Sequence, residues 1–200
     1  MSTHIMLPAA ERPWKPWKNG AGEMGDIAVV PAGAGLDDFK WRIAIARSDK
    51  DSAFSEFPNI DRTFMVVGGK GVRLAVDGME EARLTHKSDP FAFAGEKHTT
   101  AQLIDGPVHA LNVMAKRGAV QTRIGLVEEF ARFVPGSEAH AVLVWARGSA
   151  DVMINGETHP IGVHDGILFG PGVDVQIRPG DHAHGWLIEV RSSATPPASS

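Results

Sequence analysis

The chain has 200 residues, of which 43% are hydrophobic and 22% are charged, so it has the composition of a globular protein that can bury a sizeable core. The formal net charge of −4 argues against a nucleic-acid partner, and no apolar run approaches the roughly 18 residues that a membrane-spanning helix needs. Cysteine is absent, which excludes disulfides, thiolate metal sites and cysteine nucleophiles.

Short apolar runs separated by turn-forming residues make up most of the chain. It contains 22 glycines and 13 prolines, which fall between runs of Val, Ile, Leu, Phe and Met. This pattern is typical of an all-β protein with frequent turns. Residues 1–10 lack the basic start and apolar stretch of a signal peptide, so we expect a cytoplasmic protein with no membrane partner.

The first distinctive segment is Trp14–Gly22, in which two tryptophans precede an Asn-Gly-Ala-Gly loop that is too rich in glycine for a helix. Exposed backbone N–H groups in such a loop could bind an anion. Packing of the two tryptophans is the alternative interpretation.

The next segment, residues 41–46, is a predicted strand whose alternation places Arg42, Ala44 and Ala46 on one face. The planar guanidinium of arginine fits a carboxylate through two parallel hydrogen bonds. If Arg42 faces a largely apolar cavity, it needs a partner there. We expect that partner to be Asp61 or an incoming acid.

An internal repeat begins at Phe64 and recurs from Val142, at an offset of about 76 to 78 residues. Each copy has an apolar strand, a glycine turn, an alternating strand and an Asp-Gly or Asn-Gly dipeptide, which strongly favours a hairpin. Further strands then follow in the same order. Two unrelated meanders are the alternative, but five features recurring in order favour duplication.

This order of strands and turns is typical of cupin half-barrels, which are small double-stranded jelly rolls. We therefore predict an all-β, metal-free bicupin, with two cupin barrels in one chain. Residues 1–120 would hold an N-terminal segment and the first unit, 121–192 the second unit, and 193–200 a disordered tail. Within the second unit, Ile124–Phe133 is expected to form a short helix or connector.

Metal-binding cupins place two histidines at alternate positions of one strand, followed by a glutamate and a later histidine. Ser55, Phe57, Asp61 and His98 stand at these positions in the first unit, and two ligands do not make a competitive metal site. The corresponding positions of the second unit hold Pro135, Ser137, Ala141 and Gln176. We therefore expect no metal and no cofactor, and we expect the remaining histidines to lie in loops or at the surface.

Polar side chains gather around the substituted metal positions. They are Arg42, Ser55, Asp61, Arg62, His98 and Asn112. Asn112 lies between Leu111 and Val113 on a closing strand, so its amide faces opposite to both. We expect this group to line a cavity that binds a small ligand. Structural ion pairs at the barrel rim are the alternative.

Two further hypotheses concern function. Asp61 and His98 could serve as acid and base in a metal-independent enzyme acting on a small carboxylate, although no nucleophile with an activating partner is evident. The tryptophan loop could instead be the contact surface of a protein-interaction module.

Four segments resemble the HutD/Ves family, in order through about residues 10 to 190. They are Trp17–Gly22, Trp41–Ile43, Phe54–Arg62 and Leu111–Met114. The resemblance implies a bicupin fold and a role in bacterial histidine utilisation, with the dicarboxylate N-formylglutamate as the suggested ligand. Carried over residue by residue, it points to Asn19, Trp41, Arg42, Ser55, Phe57, Asp61, Arg62, Asn112 and Met114. His98 is added from the cupin frame alone.

The chain departs from the family pattern at Ala21, which interrupts a glycine triplet, at Met24–Asp26, and at Ala44. A Ves-like, stress-related role is therefore an alternative. We expect a non-catalytic regulator of histidine utilisation that binds a small acidic ligand, and we expect a homodimer paired through sheet edges.

Overall fold

A computed structural model of the chain describes residues 3–17 and 20–193. The predicted all-β class is confirmed: these residues form strands, with one 3-10 turn at Ala9–Glu11 and no α-helix. Over the same residues, no helix is long and apolar enough to cross a membrane. The chain divides into two compact units, a first unit Arg12–Arg117 and a second unit whose described residues are 3–11 and 118–193.

Nineteen strands occur in the described residues. The strands up to Arg117 are β1 (His4–Leu7), β2 (Lys15–Pro16), β3 (Gly22–Val30), β4 (Trp41–Ser48), β5 (Ser52–Ala53), β6 (Ile60–Gly68), β7 (Val72–Val76), β8 (Ala82–Leu84), β9 (Phe91–Ala94), β10 (Thr99–Leu103) and β11 (Val108–Lys116). The later strands are β12 (Val120–Val127), β13 (Ala131–Phe133), β14 (Ala139–Arg147), β15 (Ala150–Ile154), β16 (Glu157–Ile161), β17 (Gly166–Phe169), β18 (Val175–Pro179) and β19 (His184–Ser192).

The first unit contains a six-stranded sheet, in the order β2-β3-β4-β11-β6-β9, and a four-stranded sheet, in the order β5-β10-β7-β8. Alternate residues of both sheets are apolar and pack into one core, which includes Phe64, Leu74, Phe93 and Ala110. The strand pattern of period two therefore gives each sheet one inward and one outward face.

The second unit contains a five-stranded sheet, β1-β17-β14-β19-β12, and a four-stranded sheet, β13-β18-β15-β16. Its core is fully apolar at the centre, where Leu143, Trp145, Phe169 and Ile177 have no exposed surface. Large apolar side chains thus fill the interior of this unit.

The two units have the same strand order, since β9-β6-β11-β4 corresponds to β17-β14-β19-β12 and β5-β10-β7-β8 corresponds to β13-β18-β15-β16. The predicted hairpin between β15 and β16 is confirmed. Its turn residues Asn155 and Gly156 both have positive φ, of 50° and 91°, as a two-residue hairpin turn requires.

The helix expected at Ile124–Phe133 is wrong. Residues of this segment belong to β12 and β13, and β12 pairs along its whole length with β19. Pairing with a neighbouring strand satisfies the backbone groups that a helix would have satisfied internally.

The N-terminal strand lies in a different unit from the one we expected. The predicted division placed it with residues 1–120, whereas β1 pairs with β17 of the second unit. The backbone N–H of Ala9 also donates a 2.7 Å hydrogen bond to the carboxylate of Asp165. The boundary between the units falls between Arg117 and Gly118.

Candidate functional site

Arg62 lies on the inward face of β6. Its neighbours at alternate positions, Ile60, Phe64 and Val66, are all buried, and Arg62 itself is 7% exposed. Burial lowers the pKa of Arg62 to about 10, because removal from water penalises the charged form. The guanidinium is therefore still a cation at neutral pH.

The guanidinium of Arg62 has hydrogen-bond partners on two of its three nitrogens. Nη1 donates to the backbone carbonyl of Ser55 at 3.2 Å, and Nη2 donates to Oδ1 of Asn112 at 2.9 Å. Nε is buried and donates to no described residue. No Asp or Glu of the described ranges forms an ion pair with Arg62. The site is a buried cation with an unused donor.

Three phenylalanine rings enclose the same guanidinium. Its Cζ atom lies 4.8 Å from the ring centroid of Phe54, 5.6 Å from that of Phe57 and 5.2 Å from that of Phe93. Each ring face attracts the cation and keeps water away from it. The rings thus create an apolar environment in which a charged hydrogen bond is stronger than in water.

The segment 54–59 carries two of these rings and is fixed by backbone hydrogen bonds. The N–H of Phe54 donates to the carbonyl of Thr99 at 2.9 Å, and the N–H of Phe57 donates to the carbonyl of Gly95 at 2.8 Å. A Cβ atom at Gly95 would lie 2.8 Å from the carbonyl oxygens of Phe57 and Ile60. Only glycine therefore allows this segment to approach so closely.

Arg42 lies on the corresponding face of β4, but its charge is already paired. Nε and Nη2 each donate to one carboxylate oxygen of Asp26 at 2.6 Å, and Nη1 donates to the carbonyl of Gly35 at 3.2 Å. Phe39 lies 5.8 Å away, measured from Cζ to the ring centroid. The expectation that Asp61 would pair with Arg42 is wrong, because β3 lies next to β4 in the sheet and brings Asp26 to Arg42.

Met114 separates the two arginines. It lies opposite Arg42 on one side of β11 and opposite Arg62 on the other. Met114 is 3% exposed and packs with Phe39 and Ile60. The structure thus brings Arg42, Ser55, Phe57, Arg62, Asn112 and Met114, all expected at the site, into one neighbourhood.

Asp61 and His98 lie outside this neighbourhood. The side chain of Asp61 is 59% exposed and accepts a 2.8 Å hydrogen bond from Arg117. His98 is 57% exposed, with Nδ1 3.7 Å from the carboxylate of Glu56. Asp61 points to the surface because it alternates with the inward-facing Ile60 and Arg62 of β6, and His98 lies in the connection between β9 and β10.

The last two expected residues also fall elsewhere. Trp41 is buried, but it neighbours Arg42 along β4 and so lies on the opposite face of that strand. Asn19 lies outside the described residues.

The donors at the cupin metal positions do not fit a metal ion. Asp61 and His98 are engaged at the surface with separate partners, and Phe57 supplies an aromatic ring where the frame has a histidine. Across residues 3–17 and 20–193, no three His, Asp or Glu side chains lie close enough to share a metal. The chemistry available at this site is recognition of an anion by a guanidinium.

Sequence reasoning missed four residues of the site: Asp26, Phe39, Phe54 and Phe93. Phe93 contacts Arg62 because β9 pairs with β6 in a register that sets these two residues opposite each other. The alternation in β6 was a usable signal that Arg62 faces inward. The partners of Arg62 depend on strand register.

Comparison with known proteins gives a consistent result. The HutD family model matches residues 9–184. A Pseudomonas putida relative, named as an uncharacterized 21.2 kDa protein in the hutC 3′ region, is 34% identical over 167 residues, covering 82% of this chain and 86% of its own. A Protein Ves from Cronobacter sakazakii is 32% identical over 113 residues, covering 56% of this chain and 60% of its own.

Solved structures agree in fold. HutD from Pseudomonas fluorescens SBW25, in a formate condition, superposes with a TM-score of 0.81 at 28% identity, covering 96% of this chain and 100% of that one. Salicylate 1,2-dioxygenase from Pseudoaminobacter salicylatoxidans, in complex with gentisate, has a TM-score of 0.65 at 10% identity, covering 96% and 82%. The second likeness shows a cupin-like fold only. The family match and the Pseudomonas relatives confirm the resemblance found in the sequence, and the chain belongs to the HutD/Ves family.

Proposed function

We propose that this chain is a non-catalytic receptor for a small carboxylic acid, which binds at Arg62. We further propose that it regulates histidine utilisation in response to an acidic intermediate such as N-formylglutamate. The observation that carries the proposal is the buried guanidinium of Arg62, with no carboxylate partner in the described chain and with an unused Nε donor. Membership of the HutD/Ves family supports the link to histidine utilisation.

The geometry of the guanidinium suits a carboxylate ligand. A guanidinium binds a carboxylate side-on, through Nε and one Nη, with two parallel hydrogen bonds. The Arg42–Asp26 pair has this geometry within the same unit. At Arg62, a ligand carboxylate would supply the missing acceptor for Nε and neutralise a desolvated charge. The surrounding phenylalanine rings favour a ligand with a short apolar segment next to its carboxylate.

We also propose that each unit is a cupin barrel, so that the chain is a metal-independent bicupin. The shared strand order of the two units and the likeness to a dioxygenase fold support this interpretation. In β14, which corresponds to β6, the inward positions hold Ala141, Leu143 and Trp145 instead of an arginine. One ligand per chain is therefore expected.

An enzymatic role for Asp61 and His98 receives no support from the geometry. Each side chain is more than half exposed and engages a different partner at the surface. General acid and base groups act within hydrogen-bond reach of a bound substrate. Among the described residues, no hydrogen bond or ion pair joins either side chain to Arg62.

Thermal unfolding with added ligand tests the proposal. N-formylglutamate at a concentration of 100 times its Kd should stabilise the protein by about 2.7 kcal/mol and raise Tm by several degrees. Its dimethyl ester, which has no carboxylate, should leave Tm unchanged.

Arg62→Gln should abolish this ligand-dependent shift, because it removes the charge while keeping a polar side chain. Arg83→Gln is the matched control, since Arg83 is an exposed residue of β8 in the same unit. A full shift in Arg62→Gln, or no shift in the wild-type protein with any small carboxylate, would disprove the proposed function.

A further inference from the structure

Two arginines face the same interior from either side of β11. Arg42 on β4 and Arg62 on β6 both lie opposite Met114, and residues opposite each other in antiparallel strands share a face. Neighbouring strands lie about 4.8 Å apart, so the Cα atoms of the two arginines lie about 10 Å apart. A short dicarboxylic acid therefore has the dimensions to span two such guanidinium groups.

The two guanidinium groups differ in whether their N–H donors and their charge are already paired. All three nitrogens of Arg42 donate hydrogen bonds, two of them to the carboxylate of Asp26. Among the residues that the structure describes, Arg62 has neutral partners on Nη1 and Nη2 and none on Nε. One cation is therefore neutralised from within the chain, while the other keeps its charge for a ligand.

We propose that Asp26 is a specificity-determining residue: by occupying Arg42, it makes the site a receptor for one carboxylate. The inference rests on the proposed function and deepens it. A ligand places one carboxylate on Arg62, and a second carboxylate of the same ligand gains nothing from Arg42. In N-formylglutamate, one acid group is thus recognised by Arg62 and the other gains no contact with Arg42.

Asp26 is difficult for a ligand to displace. It is part of the chain, so its effective concentration at Arg42 far exceeds that of a free acid in solution. Both of its oxygens accept short hydrogen bonds. The carbonyl of Gly35 and the ring of Phe39 hold the same guanidinium from other sides. A ligand acid would therefore have to break a complete set of contacts before forming its own.

The wild-type protein gives a direct test that needs no variant. Glutarate and monomethyl glutarate have the same chain length but differ by one carboxylate. Calorimetric titration should give Kd values that agree within about threefold. Wild-type protein that binds glutarate about tenfold or more tightly than its monoester would overturn the inference.

Asp26→Asn should release Arg42 while keeping the shape of the side chain. Glutarate should then bind about tenfold or more tightly than monomethyl glutarate, since a charge-assisted hydrogen-bonded pair has become available. Asp61→Asn is the matched control: it removes the same charge at the surface of the same unit, and its Kd ratio should equal that of the wild-type protein.

The outcomes separate the two proposals. If the wild-type protein binds neither these two acids nor N-formylglutamate, the proposed function fails and the inference fails with it. If both acids bind to the wild-type protein but the ratio does not change in Asp26→Asn, the inference fails and the proposed function stands. If Asp26→Asn does not fold, the inference is tested by the wild-type protein alone, from its Kd values for glutarate and monomethyl glutarate.

Discussion

At the scale of single residues, Arg62 is a destabilising feature of the ligand-free protein. A buried charge that lacks an opposite charge destabilises the folded state, and a partner of opposite charge removes several kcal/mol of this cost. Asn112 and the carbonyl of Ser55 offset part of this cost by accepting hydrogen bonds. Residues that destabilise a fold in this way are often those that bind a ligand, and Arg62 fits that description.

Asn112→Asp should weaken the binding of carboxylic acids, because the new side chain would itself pair with Arg62. Oδ1 of Asn112 already lies 2.9 Å from Nη2 of Arg62, so a carboxylate there would neutralise the cation, as Asp26 neutralises Arg42. We expect the affinity for carboxylic acids to fall about tenfold or more, and we expect the Tm of the ligand-free protein to rise.

Asn155→Asp provides the control for Asn112→Asp, because it adds the same charge in the β15–β16 turn of the second unit. Titration calorimetry and thermal unfolding measure both effects. Undiminished affinity in Asn112→Asp would contradict the assignment of Arg62 as the carboxylate receptor.

At the scale of strands, close packing in the second unit depends on Gly185 in β19. A Cβ atom at this position would collide with the ring of Trp145, which is completely buried. Gly125, on the neighbouring strand β12, has open space where its Cβ would be. Two glycines in paired strands thus have different physical roles.

Gly185→Ala should lower the free energy of unfolding by about 1–3 kcal/mol, as overpacking of a core does. Gly125→Ala should change it by less than about 0.5 kcal/mol. Urea denaturation followed by tryptophan fluorescence measures both values. Equal effects of the two substitutions would contradict the packing described for Trp145.

The strands also explain one error of prediction. The apolar and charged residues of Ile124–Phe133 fit a short helix as well as they fit strands, because the segment is too short for periodicity to decide. Pairing with β19 decides it, since β19 offers a full row of backbone partners to β12. In β6, by contrast, alternation with Ile60 and Phe64 was a local signal that Arg62 faces inward, although the prediction placed the neighbouring Asp61 at the site as well.

At the scale of the whole molecule, the chain has two compact units, each with its own apolar core. The inward arginines belong to the first unit. The interior positions of β14 in the second unit are filled by Ala141, Leu143 and Trp145. The expectations of a homodimer and of a cytoplasmic location stay predictions.

Ligand binding should therefore slow amide hydrogen exchange in the first unit and leave exchange in the second unit unchanged. A saturating carboxylic acid should slow amide exchange in residues 54–66 and 108–116, which surround Arg62. Residues 139–147 of the second unit should exchange at the same rate with and without ligand. Mass spectrometry of peptic fragments measures this. Protection confined to the second unit would contradict binding at Arg62.

The sequence by itself determined the all-β class, the ordered repeat and the family. These follow from alternation, turn residues and short motifs, all of which are local in the chain. Only the tertiary structure decided that Asp26 pairs with Arg42, that Phe93 lies opposite Arg62, and that β1 joins the second unit. Each of these depends on which strands pair and in which register. Pairing joins residues far apart in sequence, and a local pattern does not specify it.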